Sequence, residues 1–340
     1  MTDKIKEHPP EQFWIAGITG LIFLAFVVGV ASYYYPVNVG NRVVTVIVEK
    51  GDSFRTVARK LENDGVISSQ FLLKLAAVTY GLDRRLTPGR YDFTGRNSCN
   101  SVLKKLRKGD FVRMKITIPE GTTIWAAAKL LAVPLELDSE YIVTLNSDSA
   151  LLNSLEIPCL EGYLFPETYH IPWGSNAEET VRLILGMYYN MTDSIWPDTI
   201  VAGMSKEDVI KLASIIESET SYDGEKGLVS SVYHNRLKKD MRLQADPTVI
   251  YGLGGLDRPL YKKDLDKKTP FNTYLNKGLP PTPINSPGLE AILAALYPDS
   301  SDYLYFVADN NGRHFFSRTN AEHNRARDRI KKERNNLSAN

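Results

Sequence analysis

Residues 205–220 read SKEDVIKLASIIESET, and the outer part of the chain is organised around them. Ser205, with Asp208 three residues on, has the form of a helix N-terminus. Val209, Leu212 and Ile216 then recur at spacings of three and four, so the stretch is a helix with one apolar stripe. Extending the stripe by three residues reaches Glu219, a carboxylate that emerges from the apolar face near the carboxy-terminal end. Glu217 sits two residues earlier, about 200° away around a helix of about 3.6 residues per turn, and faces elsewhere. Burial disfavours the charged form, so Glu219 is expected to have a raised pKa and to hold a proton near neutral pH, as a general acid must. Taken alone, the same pattern fits a core carboxylate that is paired with an arginine or hydrogen-bonded in place.

Short strands and helices flank this helix on the amino-terminal side. Residues 43–48 (VVTVIV) read as a strand, followed by a helix capped at Asp52 or Ser53 and carrying Phe54, Val57, Ala58 and Leu61. A second helix is expected over Ser69–Tyr80, a turn and short strand over 86–93, and a further helix over Ser101–Lys108. This strand, helix, helix, strand order over 43–108 resembles the LysM-like modules that bind glycans, and equally fits a spacer domain. Residues 114–118 alternate as a strand and lead through Pro119–Thr123 into a helix from about Ile124 to Leu131, within a connecting region placed at 109–152. The remainder, 153–330, forms a larger α+β domain, and the tail 331–340 (KKERNNLSAN) is polar and expected to fray. The fold class is thus α+β.

Ahead of these modules, Gln12 to Asn41 contains no Asp, Glu, Lys or Arg, and Phe13 to Ala31 is almost wholly apolar. At about 1.5 Å per residue, roughly 20 such residues cross a hydrocarbon core of about 30 Å. Residues 13–35 therefore read as one transmembrane helix, with Phe13, Trp14 and Tyr33–Tyr35 as interfacial aromatics and Pro36 ending it. Lys4 and Lys6 place the 1–12 tail in the cytoplasm and the rest of the chain outside. Gly29-Val30-Ala31 also fits a signal-peptide cleavage site, but the apolar run exceeds the usual length of about 7–15 residues.

Composition removes several function classes. With 41 Lys+Arg against 40 Asp+Glu, the chain lacks the basic footprint of a nucleic-acid binder, and 43% hydrophobic residues exclude a disordered chain. Cys99 and Cys159 form neither a CxxC pair nor a disulfide framework, with Cys159 expected to be buried or free, and the five histidines have no metal-ligand spacing. No metal or other cofactor is expected. Ser101-x-x-Lys104 lacks the partner motifs of a serine acyltransferase, Gly252–Gly255 is not a dinucleotide fingerprint, and no P-loop or nucleophile elbow occurs.

Polar and aromatic groups cluster instead at 160–169 (LEGYLFPETY), 230–237, 242–249, 271–274 and 278–284, the mixture that a sugar-polymer groove uses. Taken in order, ASIIESET, NRLKKDMRLQADPTVIYGLG, FNTYLNKGLPPTPINSPG, YLYFVADNNGRHFFS and EHN, together with IPEGTT, LEGYLFPETY and the single anchor, resemble the endolytic murein transglycosylases, the YceG-like family.

The resemblance implies an extracytoplasmic lyase, held at the inner membrane by one helix, that cuts the MurNAc–GlcNAc β-1,4 bonds of nascent glycan strands. Its products carry 1,6-anhydro-MurNAc ends, and the cut terminates strand elongation. Peptidoglycan strands are then the substrate and peptidoglycan synthases the partners. The family's catalytic glutamate lies in the IIESET segment before a hydroxyl residue. Both Glu217-Ser218 and Glu219-Thr220 fit that pattern, and the stripe selects Glu219. Gln244, Asp246, Asn272, Tyr274, Glu161 and Tyr163 are the groove candidates, with Asn235 and Arg242 as residues that orient Glu219. Asp246 equally fits a helix cap and Asn272 a turn. The competing reading is a non-catalytic peptidoglycan-binding scaffold of the wall-synthesis machinery.

Overall fold

The computed structural model describes residues 11–82, 86–196, 203–309 and 311–337. Most of the 1–12 tail lies outside the described residues. The chain divides into two compact units, residues 1–113 with 172–174, and residues 114–171 with 175–340.

In the first unit, α1 (Glu11–Tyr34) is the one helix among the described residues long and apolar enough to cross a membrane, over Trp14–Tyr34. Strand β1 (Val37–Asn38) follows, and β2 (Val44–Val48) alternates buried and exposed residues as a strand with one solvated face should. Ser53 caps α2 (Phe54–Asn63) and Ser69 caps α3 (Gln70–Thr79). Strand β3 (Gly89–Phe93) returns antiparallel to β2 with Val46 opposite Tyr91, and β4 (Arg96–Asn97) pairs with β1. The last element, α4 (Cys99–Lys108), starts in a reciprocal capping box between Ser98 and Ser101, and Gly109 closes it in the left-handed region. Ser101 is therefore a capping group, and its spacing to Lys104 has no catalytic meaning here.

The second unit begins at β5 (Arg113–Ile118), which pairs with β6 (Glu167–Pro172). Between them lie α5 (Ile124–Leu135), α6 (Ser139–Thr144) and α7 (Ser149–Leu155). Within the stretch expected to connect the modules, 109–152, Ile116, Ile118, Ala127, Leu131, Ile142 and Leu152 sit in the same core as Ile210 and Ile216. Next come α8 (Ala177–Thr192), α9 (Lys206–Glu219), α10 (Asp223–Lys238), α11 (Asp246–Gly252) and α12 (Leu289–Leu296). A hairpin of β7 (Tyr305–Ala308) and β8 (His314–Ser317) leads into α13 (Asn320–Leu337). The tail is thus helical through Leu337 rather than frayed from Lys331. Glu322 accepts from the Arg318 and Thr319 amides, and Arg329 and Glu333 form an i,i+4 pair.

Helix α9 is the axis of this unit. Val209, Ile210, Leu212, Ala213, Ile215 and Ile216 are all buried, each large aliphatic contributing about 1.5–3 kcal/mol. The loop after 280 is tied to it: the Ile284 amide donates to Ser214 Oγ, and Asn285 Nδ2 donates to the Ser214 carbonyl and to Ser218 Oγ. Thr122 and Ser286 form a β-bridge, so the 118–123 loop arrives at the same end of α9. Gly162 permits this convergence. It has φ +88°, and a Cβ there would lie 2.5 Å from the Pro283 ring and 3.1 Å from Ile210. Gly162→Ala is therefore expected to destabilise the protein by roughly 2 kcal/mol, through backbone strain and overpacking, measurable as a shifted denaturant midpoint with an unchanged slope.

Candidate functional site

The last turn of α9 carries two carboxylates with opposite environments. Glu217 is neutralised: Lys226 Nζ lies 3.3 Å from both its oxygens, and the Gly288 amide at the start of α12 donates to Oε2 at 3.0 Å. Lys226 is only 2% exposed and also reaches Asp223 at 2.9 Å and Glu120 at 4.0 Å. Burial pushes Glu217 up, opposed by the Gly288 amide and by Lys226. Its placement, on a cation and a helix N-terminus, is that of a structural ion pair.

Glu219 has no such cation in contact. It keeps some exposure through the cavity that it lines, yet protein surrounds it closely enough that burial pushes its carboxyl up to about 7. The Tyr233 phenol donates to Oε1 at 2.7 Å and opposes the rise, the nearby Asp246 charge adds to it, and Arg236 opposes it from a distance. Its position at the carboxy-terminal end of α9, the negative end of the helix dipole, disfavours its charge as well. The cavity holds about 490 Å³. Gln244, Asp246 and Tyr274 face it from the 242–249 and 271–274 stretches, with the Tyr274 hydroxyl donating to Asp246 Oδ1 at 2.6 Å. Gln244 is at φ 52°, a strained conformation for a residue other than glycine.

Other groove candidates lie elsewhere. Glu161 is buried; both its oxygens are 3.1 Å from the Ile124 amide at the start of α5, and Oε2 accepts from the Tyr251 hydroxyl at 2.9 Å. It caps a helix in the core, where burial pushes it up to about 7. Tyr163 is buried against the Tyr188 ring. Asn272 is wholly buried, with Nδ2 on the Leu265 and Lys267 carbonyls and Oδ1 on the Tyr274 amide, so it shapes the turn that presents Tyr274. The expected orienting residues also lie away from the cavity. Asn235 binds the Ser301 and Tyr303 carbonyls, Arg242 is exposed, and neither lines the cavity. Tyr233 and Arg236, one turn apart on α10, take that place. Arg236 is fixed by donating to the Leu304 and Leu243 carbonyls at 2.7 and 2.5 Å.

The far wall of the cavity is formed by the β7–β8 hairpin and α13, through Tyr305, Phe306, His314, Asn320, His323 and Asn324. None of these residues is among the candidates that the sequence offers. The visible signal there is the i, i+3, i+4 spacing of Asn320, His323 and Asn324. Among the described residues, no group of His, Cys, Asp and Glu is arranged to hold a metal ion. Cys99 and Cys159 are free and buried, one in each unit's core.

The chain matches the model of the YceG-like family over residues 46–329. It is 32% identical over 309 residues to a Bacillus subtilis (strain 168) protein named endolytic murein transglycosylase, covering 84% of each chain. A Streptococcus pneumoniae (strain R6) protein of the same name is 28% identical over 91% of this chain, which spans 64% of that relative. The crystal structure of a YceG-like protein from Listeria monocytogenes superposes with a TM-score of 0.56 at 31% identity, covering 84% of this chain and 100% of that one. The chain belongs to the YceG-like family.

The ion pair beneath the site makes a measurable demand. Lys226→Met leaves Glu217 buried without its cation and is expected to cost about 3–5 kcal/mol. Glu217→Gln combined with Lys226→Met is expected to recover part of that loss, as read by denaturant unfolding in a double-mutant cycle.

Proposed function

We propose that this chain is a membrane-anchored lytic transglycosylase that cleaves peptidoglycan glycan strands internally, with Glu219 as its acid and base. The observation that carries this reading is Glu219 itself: a carboxyl that holds its proton near neutrality and opens into a polar cavity. Membership of a family whose relatives are named endolytic murein transglycosylases supports the substrate class.

In the mechanism proposed here this one carboxyl serves both steps. Hydrolytic glycosidases place two carboxyls on either side of the scissile bond, one as acid and one as nucleophile or base. Here Tyr233 holds Oε1 and leaves Oε2 to carry the proton. Glu219 gives that proton to the bridging oxygen of a MurNAc–GlcNAc β-1,4 link, and the C1–O bond breaks with its electron pair on the departing oxygen. The resulting carboxylate takes the proton of the MurNAc C6 hydroxyl as that oxygen attacks C1, closing a 1,6-anhydro ring. Water is not consumed, and Glu219 ends protonated as it began. Asp246, held by Tyr274, supplies negative charge near the site while C1 is electron-poor.

Helix α1 serves as the anchor, with the amino terminus inside and both units outside. The first unit, with its strand, helix, helix, strand order, acts as a LysM-like module for the glycan, and synthases of the strand are the partners in whose products the cut is made.

Glu219→Gln is expected to lower release of 1,6-anhydro ends from purified peptidoglycan by about 10²–10⁴-fold. Mass spectrometry of the products decides between chemistries, because hydrolysis leaves ends heavier by one water, and a scaffold releases nothing. A second expectation concerns pH. The acid works only when protonated, so kcat/KM should fall as pH rises through about 7. The Tyr233 hydrogen bond lowers the Glu219 pKa, so Tyr233→Phe should move that alkaline limb to higher pH.

The raised pKa also bears on folding. A carboxyl held above its unfolded value favours the fold below the unfolded pKa and loses that advantage as pH climbs through about 7. Glu219→Gln should therefore melt above wild type at pH 8, by roughly 2–4 °C, with the gap closing below about pH 4.

A further inference from the structure

A second hollow, about 800 Å³, opens on the other side of the α9 terminus and is far less polar than the Glu219 cavity. The two are neighbours along the chain at two points. Glu219 lines the first and Ser218 the second; Asp246 lines the first and Pro247 the second. A linear polymer bound across the end of α9 and the start of α11 enters both.

The second hollow is built around an aromatic plate whose rings are tilted against one another by 35° and 60°. Trp125 of α5, 37% exposed, lies 5.0 Å from the Tyr251 ring of α11, and Tyr251 lies 4.8 Å from Phe271. The plate is braced from beneath. The Tyr251 hydroxyl donates to Glu161, whose carboxyl also holds the start of α5, so one buried group fixes both helices that carry the rings. Glu161, which does not reach the Glu219 cavity, thereby acts on this hollow at second hand.

Asn285 supplies a polar complement. It lines the hollow, is 2% exposed, and spends both amide hydrogens on Ser214 and Ser218. Those two bonds fix which end of the amide is oxygen, and that Oδ1 is buried without a hydrogen-bond partner. A buried acceptor left unpaired costs about 1–3 kcal/mol.

We propose that this hollow is a second glycan-binding site, in which a sugar ring of the same strand lays its C–H face on Trp125 while its hydroxyls meet the polar part of the lining, which includes Thr123 and Ser218. The inference rests on the proposed function for the identity of the strand. The apolar plate within a partly polar lining suits a pyranose, which has one carbon-rich face and a rim of hydroxyls. An enzyme that cuts inside a strand must hold sugars on both sides of the bond, and the two hollows flank Glu219 and Ser218 accordingly.

The test uses the full-length protein and peptidoglycan strands stripped of their stem peptides, sorted by length. Trp125→Ala should lower kcat/KM about tenfold, which corresponds to about 1.4 kcal/mol of lost binding, mainly through KM. The ratio of wild type to variant should grow with strand length, and Trp125→Phe should restore most of the loss. An unchanged KM at every length overturns the proposal. So does a loss seen only on strands that keep their stem peptides, which would assign the hollow to the peptide. Calorimetric titration of stem-free strands into Glu219→Gln, with and without Trp125→Ala, separates this inference from the reading beneath it. Weaker binding on removal of the indole supports the site even if the wild type cuts nothing, and equal binding rejects the site even if the wild type cuts.

Discussion

The feature on which this molecule turns is the unequal treatment of two carboxylates two residues apart. Both sit in the last turn of α9, where the helix dipole opposes negative charge. Glu217 is compensated by a buried lysine and by the start of α12. Glu219 receives a phenol and a distant guanidinium, and that is not enough to offset its desolvation. Had Lys226 stood on the other side of the helix, Glu217 would hold the proton and the polar cavity would face an inert anion. Much of the second unit serves this asymmetry. Helix α10 carries both Lys226 and Tyr233, and the loops at 118–123 and 280–288 close over the Glu217 side.

What the sequence disclosed follows from the range of the forces involved. The α9 stripe, the capping serines at 53, 69 and 205, and the apolar run of α1 are local, since each depends on neighbours within four residues. The opposite facing of Glu217 and Glu219 follows from helix geometry alone. Glu161, Tyr163 and Asn272 were read toward a groove because amides, carboxylates and aromatics also line sugar sites, but the same groups satisfy buried backbone amides. Glu161 meets the Ile124 amide 37 residues away, and nothing local in the sequence marks that meeting. Tyr233 and Arg236 were legible only as a polar stretch near the end of a helix. Their role depends on α10 packing beside α9, a tertiary fact. The α13 tail was misread because a helix poor in apolar residues can still persist on caps and i,i+4 pairs, continuous with the segment that walls the cavity.

The contrast between the two hollows has a chemical logic of its own. A proton transfer needs a site whose dipoles are already oriented, and that requires polar walls fixed by further hydrogen bonds, as Tyr274 fixes Asp246 and two carbonyls fix Arg236. Holding the remainder of a polymer needs surface rather than charge, and in the second-site proposal the rings of Trp125 and Tyr251 provide it, the latter tethered through its hydroxyl to Glu161 before any ligand arrives. Placing both around one helix terminus lets the rigid α9 axis set their spacing. Sites built on packed helices hold such spacing better than sites built on loops alone.

A single protonated carboxyl also limits the reactions that this cavity can promote. In the proposed reaction the nucleophile is an internal hydroxyl that the substrate itself holds near the anomeric carbon, so no carboxyl is called on to activate water. Tethering of this kind replaces a bimolecular encounter and can supply about 7–11 kcal/mol of the barrier reduction. Asp246 takes a different part in that proposal. Its Oδ1 is engaged by the Tyr274 hydroxyl, and it shares one cavity wall with Glu219 closely enough that its charge raises the Glu219 pKa. That proximity keeps the proton on Glu219, and in the proposed reaction the Asp246 charge would stabilise a cationic sugar while Glu219, once its own proton has gone, takes that of the attacking group.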